Sequence, residues 1–110
     1  MITISKEQNA LTLVSLFTVA PEKQDELINL LVSCTDEFIA SCPGFISATY
    51  HKSLDGNNVA LYAQYENMEA FQGVINSEGG KRMITEGSKI ALSSQRFLCT
   101  VFDTREANSK

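Results

Sequence analysis

Residues 45–66 read FISATYHKSLDGNNVALYAQYE, and this stretch decides the fold. Its two arms, residues 45–53 and 59–66, are rich in aromatic and β-branched side chains, the composition of strands. Between them Leu54-Asp55-Gly56-Asn57-Asn58 carries the Asp-Gly signal of a tight antiparallel hairpin. A two-residue turn at Asp55-Gly56 sets His51 opposite Ala60, Thr49 opposite Tyr62 and Ser47 opposite Gln64. Side chains alternate along a strand, so Ile46, Ala48, Tyr50, Val59, Leu61, Ala63 and Tyr65 share one face, and Thr49, His51, Tyr62 and Gln64 share the other. The first set is the more apolar and is expected beneath helices. A register one residue away exchanges the faces, and with them the places of His51 and Tyr65.

Upstream, residues 11–19 (LTLVSLFTV) are almost wholly apolar or β-branched, which favours a strand covered on both sides. Pro21 then opens a helix whose first turns hold Glu22, Asp25 and Glu26, acids that complement the positive end of the helix dipole. Leu27, Leu30, Leu31, Cys34, Phe38 and Ile39 recur at helical spacing to about Ser41, where Pro43-Gly44 stops the helix. Downstream, Asn67 is an N-cap for a second helix over residues 68–75, with Ala70, Phe71, Val74 and Ile75 as its apolar face. Residues 77–80 read as a break. Met83, Ile84, Ile90 and Leu92 suggest a further helical piece that Gly87 weakens. Residues 96–103 (RFLCTVFD) read as the last strand, and residues 105–110 as a polar tail.

This order predicts an α+β, ferredoxin-like βαββαβ domain: a four-stranded antiparallel sheet with helices on one face. The other face is left bare, yet the first strand is apolar on both sides. Leu11, Leu13 and Phe17 point one way, Val14 and Leu16 the other. A monomer would expose one set to water, so two sheets packed face to face in a two-fold homodimer are expected.

The whole composition agrees with one domain, its core over about residues 9–104. The chain has 110 residues, 44% of them apolar and 20% charged. Nine Lys and Arg against thirteen Asp and Glu give a net charge of -4, the wrong sign for a nucleic-acid backbone. No apolar run approaches the roughly 20 residues of a membrane span, and residues 1–6 lack the features of a signal peptide, so a cytoplasmic protein with no membrane partner is expected. Cys34, Cys42 and Cys99 form no CxxC pair and read as reduced thiols, not as a disulfide framework or zinc site. There is one histidine, and the acids are scattered, so no metal site is expected.

The strand LTLVSLFTV with Pro21, the PGF of residues 43–45 and ATYHKSLDGNNVALYAQYENMEAF of residues 48–71 together resemble the antibiotic biosynthesis monooxygenase (ABM) family, of the dimeric α+β barrel superfamily. The resemblance spans about two-thirds of the chain. It implies a dimer whose sheets form a barrel, with a small pocket in each protomer between sheet and helices. It also implies oxygenation of a small electron-rich aromatic compound, such as an anthrone, quinol or related polyketide, without metal, flavin or haem. Members with this chemistry resemble one another in V-x-N-Y-x-Q-W on the third strand, with an aromatic residue further on in the helix. In this sequence Leu61 stands at the asparagine position, Tyr65 at the tryptophan position and Phe71 at the helical aromatic, while Tyr62 and Gln64 match. A haem-degrading relative would want an axial histidine on the second helix and a tryptophan, and this chain has neither.

The candidate catalytic residues are Tyr65, a phenol expected inside an apolar pocket, and His51, the chain's one imidazole. Tyr50, Leu61, Phe71 and Arg82 are candidate substrate contacts, Arg82 as a cation reaching over the pocket toward a phenolate or carboxylate. Each has a structural alternative: a core tyrosine bonded to backbone, a histidine or Gln64 hydrogen-bonded across a dimer seam, a solvated arginine, a core phenylalanine. The departures at Leu61, Tyr65 and Phe71 also leave room for a non-enzymatic small-molecule binder or a structural dimerisation module.

Overall fold

The computed structural model describes residues 10–108. Four strands and three α-helices follow in the order β1 (Leu11–Thr18), α1 (Gln24–Glu37), β2 (Phe45–Lys52), β3 (Asn58–Tyr65), α2 (Met68–Ile75), α3 (Glu78–Ile90) and β4 (Ser93–Cys99). All neighbouring strands are antiparallel, in the sheet order β2-β3-β1-β4, which is the ferredoxin-like arrangement.

The hairpin register is the expected one, with His51 opposite Ala60, Thr49 opposite Tyr62 and Ser47 opposite Gln64. Its loop is longer than two residues. The Ser53 N–H donates to the Asn58 carbonyl at 3.0 Å, and Gly56 N–H donates to the Ser53 carbonyl at 3.2 Å, so residues 54–57 form the loop. Asp55 Oδ1 accepts from Ser53 Oγ at 2.7 Å and from the Asn57 N–H at 3.0 Å, while Gly56 takes a φ of 84° that a side chain would resist. Lengthening the loop symmetrically by one residue on each side leaves every pairing below it unchanged.

One strand face needs correction. The pairing shifts between Phe45 and Ser47, so Ile46 is the extra residue of a bulge and is 46% exposed instead of lying under the helices. Phe45 takes the inward place, edge-on to Tyr65 with ring centroids 5.8 Å apart.

Pro21 starts a single 3-10 turn, Pro21–Lys23, that feeds α1. The helix buries Leu27, Leu31 and Cys34 against the sheet, and Gln24 Nε2 ties it to the hairpin through the carbonyls of Ser53 (3.1 Å) and Asn58 (2.9 Å). Regular α-helix ends at Glu37, short of Ser41. Phe38 leaves helical geometry at φ −130°, and a 3-10 turn, Ile39–Ser41, follows.

Residues 77–80 are not a break. Ser77 caps α3, its Oγ accepting from the Gly80 N–H at 3.1 Å, and Gly79 and Gly80 form the first turn. A Cβ on Gly79 would lie 2.4 Å from Phe38 Cβ, and one on Gly80 2.0 Å from the Val74 carbonyl oxygen, so the two glycines permit α3 to press onto α1 and the end of α2. The helix runs unbroken through Gly87 to Ile90, leaving Leu92 outside it. Leu92 N–H donates to the Thr18 carbonyl at 2.7 Å, and that bond starts β4 earlier than the expected residue 96. No regular element follows Cys99 among the described residues.

The core lies between the helices and one sheet face. Leu13, Cys34, Ile39, Leu61, Ala63, Tyr65 and Val74 form one cluster; Val19, Leu27, Leu31 and Val59 form a second. The opposite face carries no helix among the described residues.

Candidate active site

Between the helix-side face of the sheet and helices α1 and α3 is a cavity of about 140 Å³. Leu13, Leu61, Ala63, Ile39, Val74 and Met83 give it apolar walls; Ser15, Thr35, Tyr50, Tyr65, Ser88, Ser94 and Arg96 bring polar atoms to it.

Tyr65 is held edge-on between two rings, Phe45 at 5.8 Å and Phe71 at 5.4 Å, and is only 4% exposed. It has no hydrogen-bond partner among the described residues. Burial is the main reason its phenol is pushed up to about 12; Tyr50 and Cys42 push the same way, and the positive charge of Arg96 pulls against them. Near neutral pH it is therefore a hydrogen-bond donor, not a proton acceptor. Tyr50 is differently placed. Its hydroxyl meets Thr35 Oγ1 and lies 3.4 Å from the Leu31 carbonyl, to which Thr35 Oγ1 also donates at 3.0 Å. Burial raises its pKa, and the bond to Thr35 partly offsets that.

The structure thus brings Tyr50, Leu61 and Tyr65 to the cavity wall, with Phe71 backing Tyr65. His51 is not brought there. It lies on the helix-free face, exposed, in register with Ala60. Arg82 is also elsewhere: it stands on α3 with a guanidinium nitrogen 3.4 Å from Glu37 Oε2 of α1, both half-exposed, and does not line the cavity. The arginine that does line it is Arg96, opposite Ser15 in the β1–β4 pairing. Alternation along β4 places Arg96 in phase with Ser94 on the helix side. That phase needs the β1–β4 register, which a strand read as residues 96–103 does not provide. Among the described residues no three His, Cys, Asp or Glu side chains gather to hold a metal ion, and no helix is long and apolar enough to cross a membrane.

A family model described as antibiotic biosynthesis monooxygenase matches residues 10–85, from the start of β1 into α3. The chain belongs to the ABM family. The tetracenomycin-F1 monooxygenase of Streptomyces glaucescens is 47% identical over 74 residues, covering 67% of this chain and 66% of that enzyme's length. Among solved structures, the ActVA-Orf6 monooxygenase of Streptomyces coelicolor, in complex with nanaomycin D, superposes with a TM-score of 0.80 at 27% identity, over 90% of this chain and 93% of that one. SnoaB, a cofactor-independent oxygenase from Streptomyces nogalater, superposes with a TM-score of 0.71 at 23% identity, over 86% of this chain and 95% of that one. The ABM match ends before β4, so Arg96 lies outside the matched residues.

Proposed function

We propose that this ABM protein is a monooxygenase that acts on a small electron-rich aromatic compound, an anthrone, quinol or related polyketide, using O2 without metal, flavin or haem. The observation that carries this reading is the cavity itself: an apolar chamber between sheet and helices with a protonated Tyr65 hydroxyl at its wall that has no partner among the described residues. The tetracenomycin-F1 relative is a monooxygenase, and the ActVA-Orf6 relative binds nanaomycin D, which supports a polyketide-like occupant.

The chemistry asks little of the protein. An anthrone or quinol held as its anion is electron-rich enough to reduce O2, and apolar walls keep water from the reactive species. A hydrogen bond from Tyr65 to the substrate oxygen favours that anion. For an anthrone the balance is simple: the methylene carbon gains one oxygen atom as a carbonyl, its two hydrogens leave with the other oxygen as water, and O2 is the oxidant.

The same reading takes the working unit to be a homodimer packed through the helix-free sheet faces. Leu16 and Phe97 on that face are 42% and 50% exposed in the single chain. On the same face Thr12 Oγ1 and both amide atoms of Gln64 are buried without a hydrogen-bond partner among the described residues.

A second reading, a binder without turnover, is favoured by Leu61. At the position where the resemblance implies an asparagine, a hydrocarbon side chain faces the cavity and offers nothing to hold a substrate oxygen. Oxygen uptake by metal-free protein across anthrones, naphthols and hydroquinones separates the two. Uptake above autoxidation is expected. Ligand-dependent thermal stabilisation with no uptake by any compound would leave the binder.

A further inference from the structure

We infer that Arg96 makes this cavity selective for aromatic ligands that carry an anionic oxygen, and that it is the residue that binds that oxygen. Arg96 is the one charged side chain among the described residues that line the cavity. Its place is fixed by strand pairing, not by a loop: it stands opposite Ser15, with Ser94 two residues before it on the same face, and both serines also line the cavity.

Counter-ions make the point sharper. Lys23, Lys52, Arg82, Lys89 and Arg105 each have a carboxylate within 4.0 Å, whereas among the described residues Arg96 and Lys81 have none, and of these two only Arg96 lines the cavity. A guanidinium at the rim of an apolar chamber with no protein anion to meet it is available to a ligand's. Its fork of N–H donors matches a carboxylate or an ionised phenol, and the flanking serine hydroxyls supply further donors. The Tyr65 hydroxyl, protonated near neutral pH, lines the same chamber and feels the charge of Arg96. Arg96 therefore anchors one end of a flat aromatic ring system whose body lies against Leu13, Leu61 and Met83.

This inference rests on the proposed function only for the aromatic nature of the ligand, and its test is binding without turnover. Dissociation constants are measured anaerobically near neutral pH for two matched pairs: 2-naphthoate against its methyl ester, and 2,4-dinitro-1-naphthol, a phenolate at that pH, against its methyl ether. Arg96 is exposed at the cavity's edge, so the folded protein is expected to prefer at least one anion by roughly tenfold, the scale of a single charge-assisted hydrogen bond. Which pair shows the preference tells carboxylate from phenolate. Arg96→Gln is expected to abolish the preference while leaving affinity for the neutral partner within about threefold, and Arg96→Lys to keep part of it. Equal affinity for anion and neutral partner in both pairs, no binding of any of the four, or a preference that survives Arg96→Gln would overturn the inference. Anion preference without oxygen uptake by any aromatic would instead remove the monooxygenase reading and leave this one standing.

Discussion

At the scale of single residues the site turns on the phenol of Tyr65, which bonds to nothing among the described residues. The Tyr65 ring is gripped by Phe45 and Phe71, and its hydroxyl, at the cavity wall, has no hydrogen-bond partner among the described residues. Removing that oxygen breaks no hydrogen bond among the described residues, so Tyr65→Phe should change stability by less than about 1 kcal/mol in urea melts. The same substitution should lower oxygen uptake with a substrate quinol by about tenfold or more, because a hydrogen bond to an anion is worth roughly 1.5–3 kcal/mol. Unchanged turnover would reduce Tyr65 to pocket lining. A second consequence is a pH dependence. The folded phenol titrates at about 12, whereas in the unfolded chain it titrates near 10. Between those values the folded state holds more protons, so stability falls as pH rises; below the unfolded pKa the contribution is fully present. The gap corresponds to roughly 2–3 kcal/mol when fully lost, and Tyr50, also raised, acts in the same direction. Urea midpoints measured near pH 9 and again near pH 11.5 should fall less in Tyr65→Phe than in the parent chain. Parallel falls would mean that another group controls alkaline unfolding.

At the scale of elements, glycines carry the information that periodicity does not. Gly73, Gly79, Gly80 and Gly87 all lie in α2 or α3 and look alike as helix weakeners, yet their surroundings differ. Gly79 and Gly80 stand where backbone and Phe38 approach too closely for any side chain, whereas nothing lies within 4 Å of a Cβ on Gly73. Gly79→Ala should therefore destabilise by about 1–3 kcal/mol through overpacking of α1 on α3. Gly73→Ala should stabilise by up to about 1 kcal/mol through helix propensity alone. Equal effects in denaturant melts would refute the packing account.

This contrast also explains which parts of the fold were legible. The hairpin arms, α2 with its Asn67 cap and the element order follow from local chemistry: Asp-Gly at a turn, an amide before a helix, apolar residues at a fixed period. The end of α1 and the start of α3 do not, because both are set by Phe38 meeting Gly79 across more than forty residues of chain. The bulge that swaps Ile46 for Phe45 is equally invisible to alternation, which counts residues without knowing where one is skipped. The site was legible in the same proportion. Tyr50, Leu61 and Tyr65 follow from the hairpin register, while Arg96 depends on the β1–β4 pairing, and Arg82 is turned toward Glu37 by the packing of two helices.

At the scale of the whole molecule the sheet has two faces with different fates. One is closed by helices and holds the cavity. The other exposes Leu16 and Phe97 and sits over Gln64 and Thr12, whose buried polar atoms lack partners among the described residues. Leaving large apolar side chains in water is unfavourable by about 25 cal/mol for each Å² that a partner would cover, and a second copy presenting the same face would cover them by symmetry. Light scattering at micromolar concentration should accordingly give twice the mass of the chain. Two carboxylates in such a dry interface would each lose several kcal/mol of hydration, so Leu16→Glu combined with Phe97→Glu should give a monomer, and Leu16→Glu alone a weakened dimer. Neither residue lines the cavity, which lies on the far side of the sheet. Ligand affinity in the monomeric variant should stay within about threefold of the parent if the chamber is complete in one chain. A parent chain that scatters as a monomer would remove the face-to-face dimer. A dimer whose dissociation empties the chamber would mean that the partner, across four strands, holds the sheet in the curvature that keeps Tyr65 and Arg96 aimed at the same ligand.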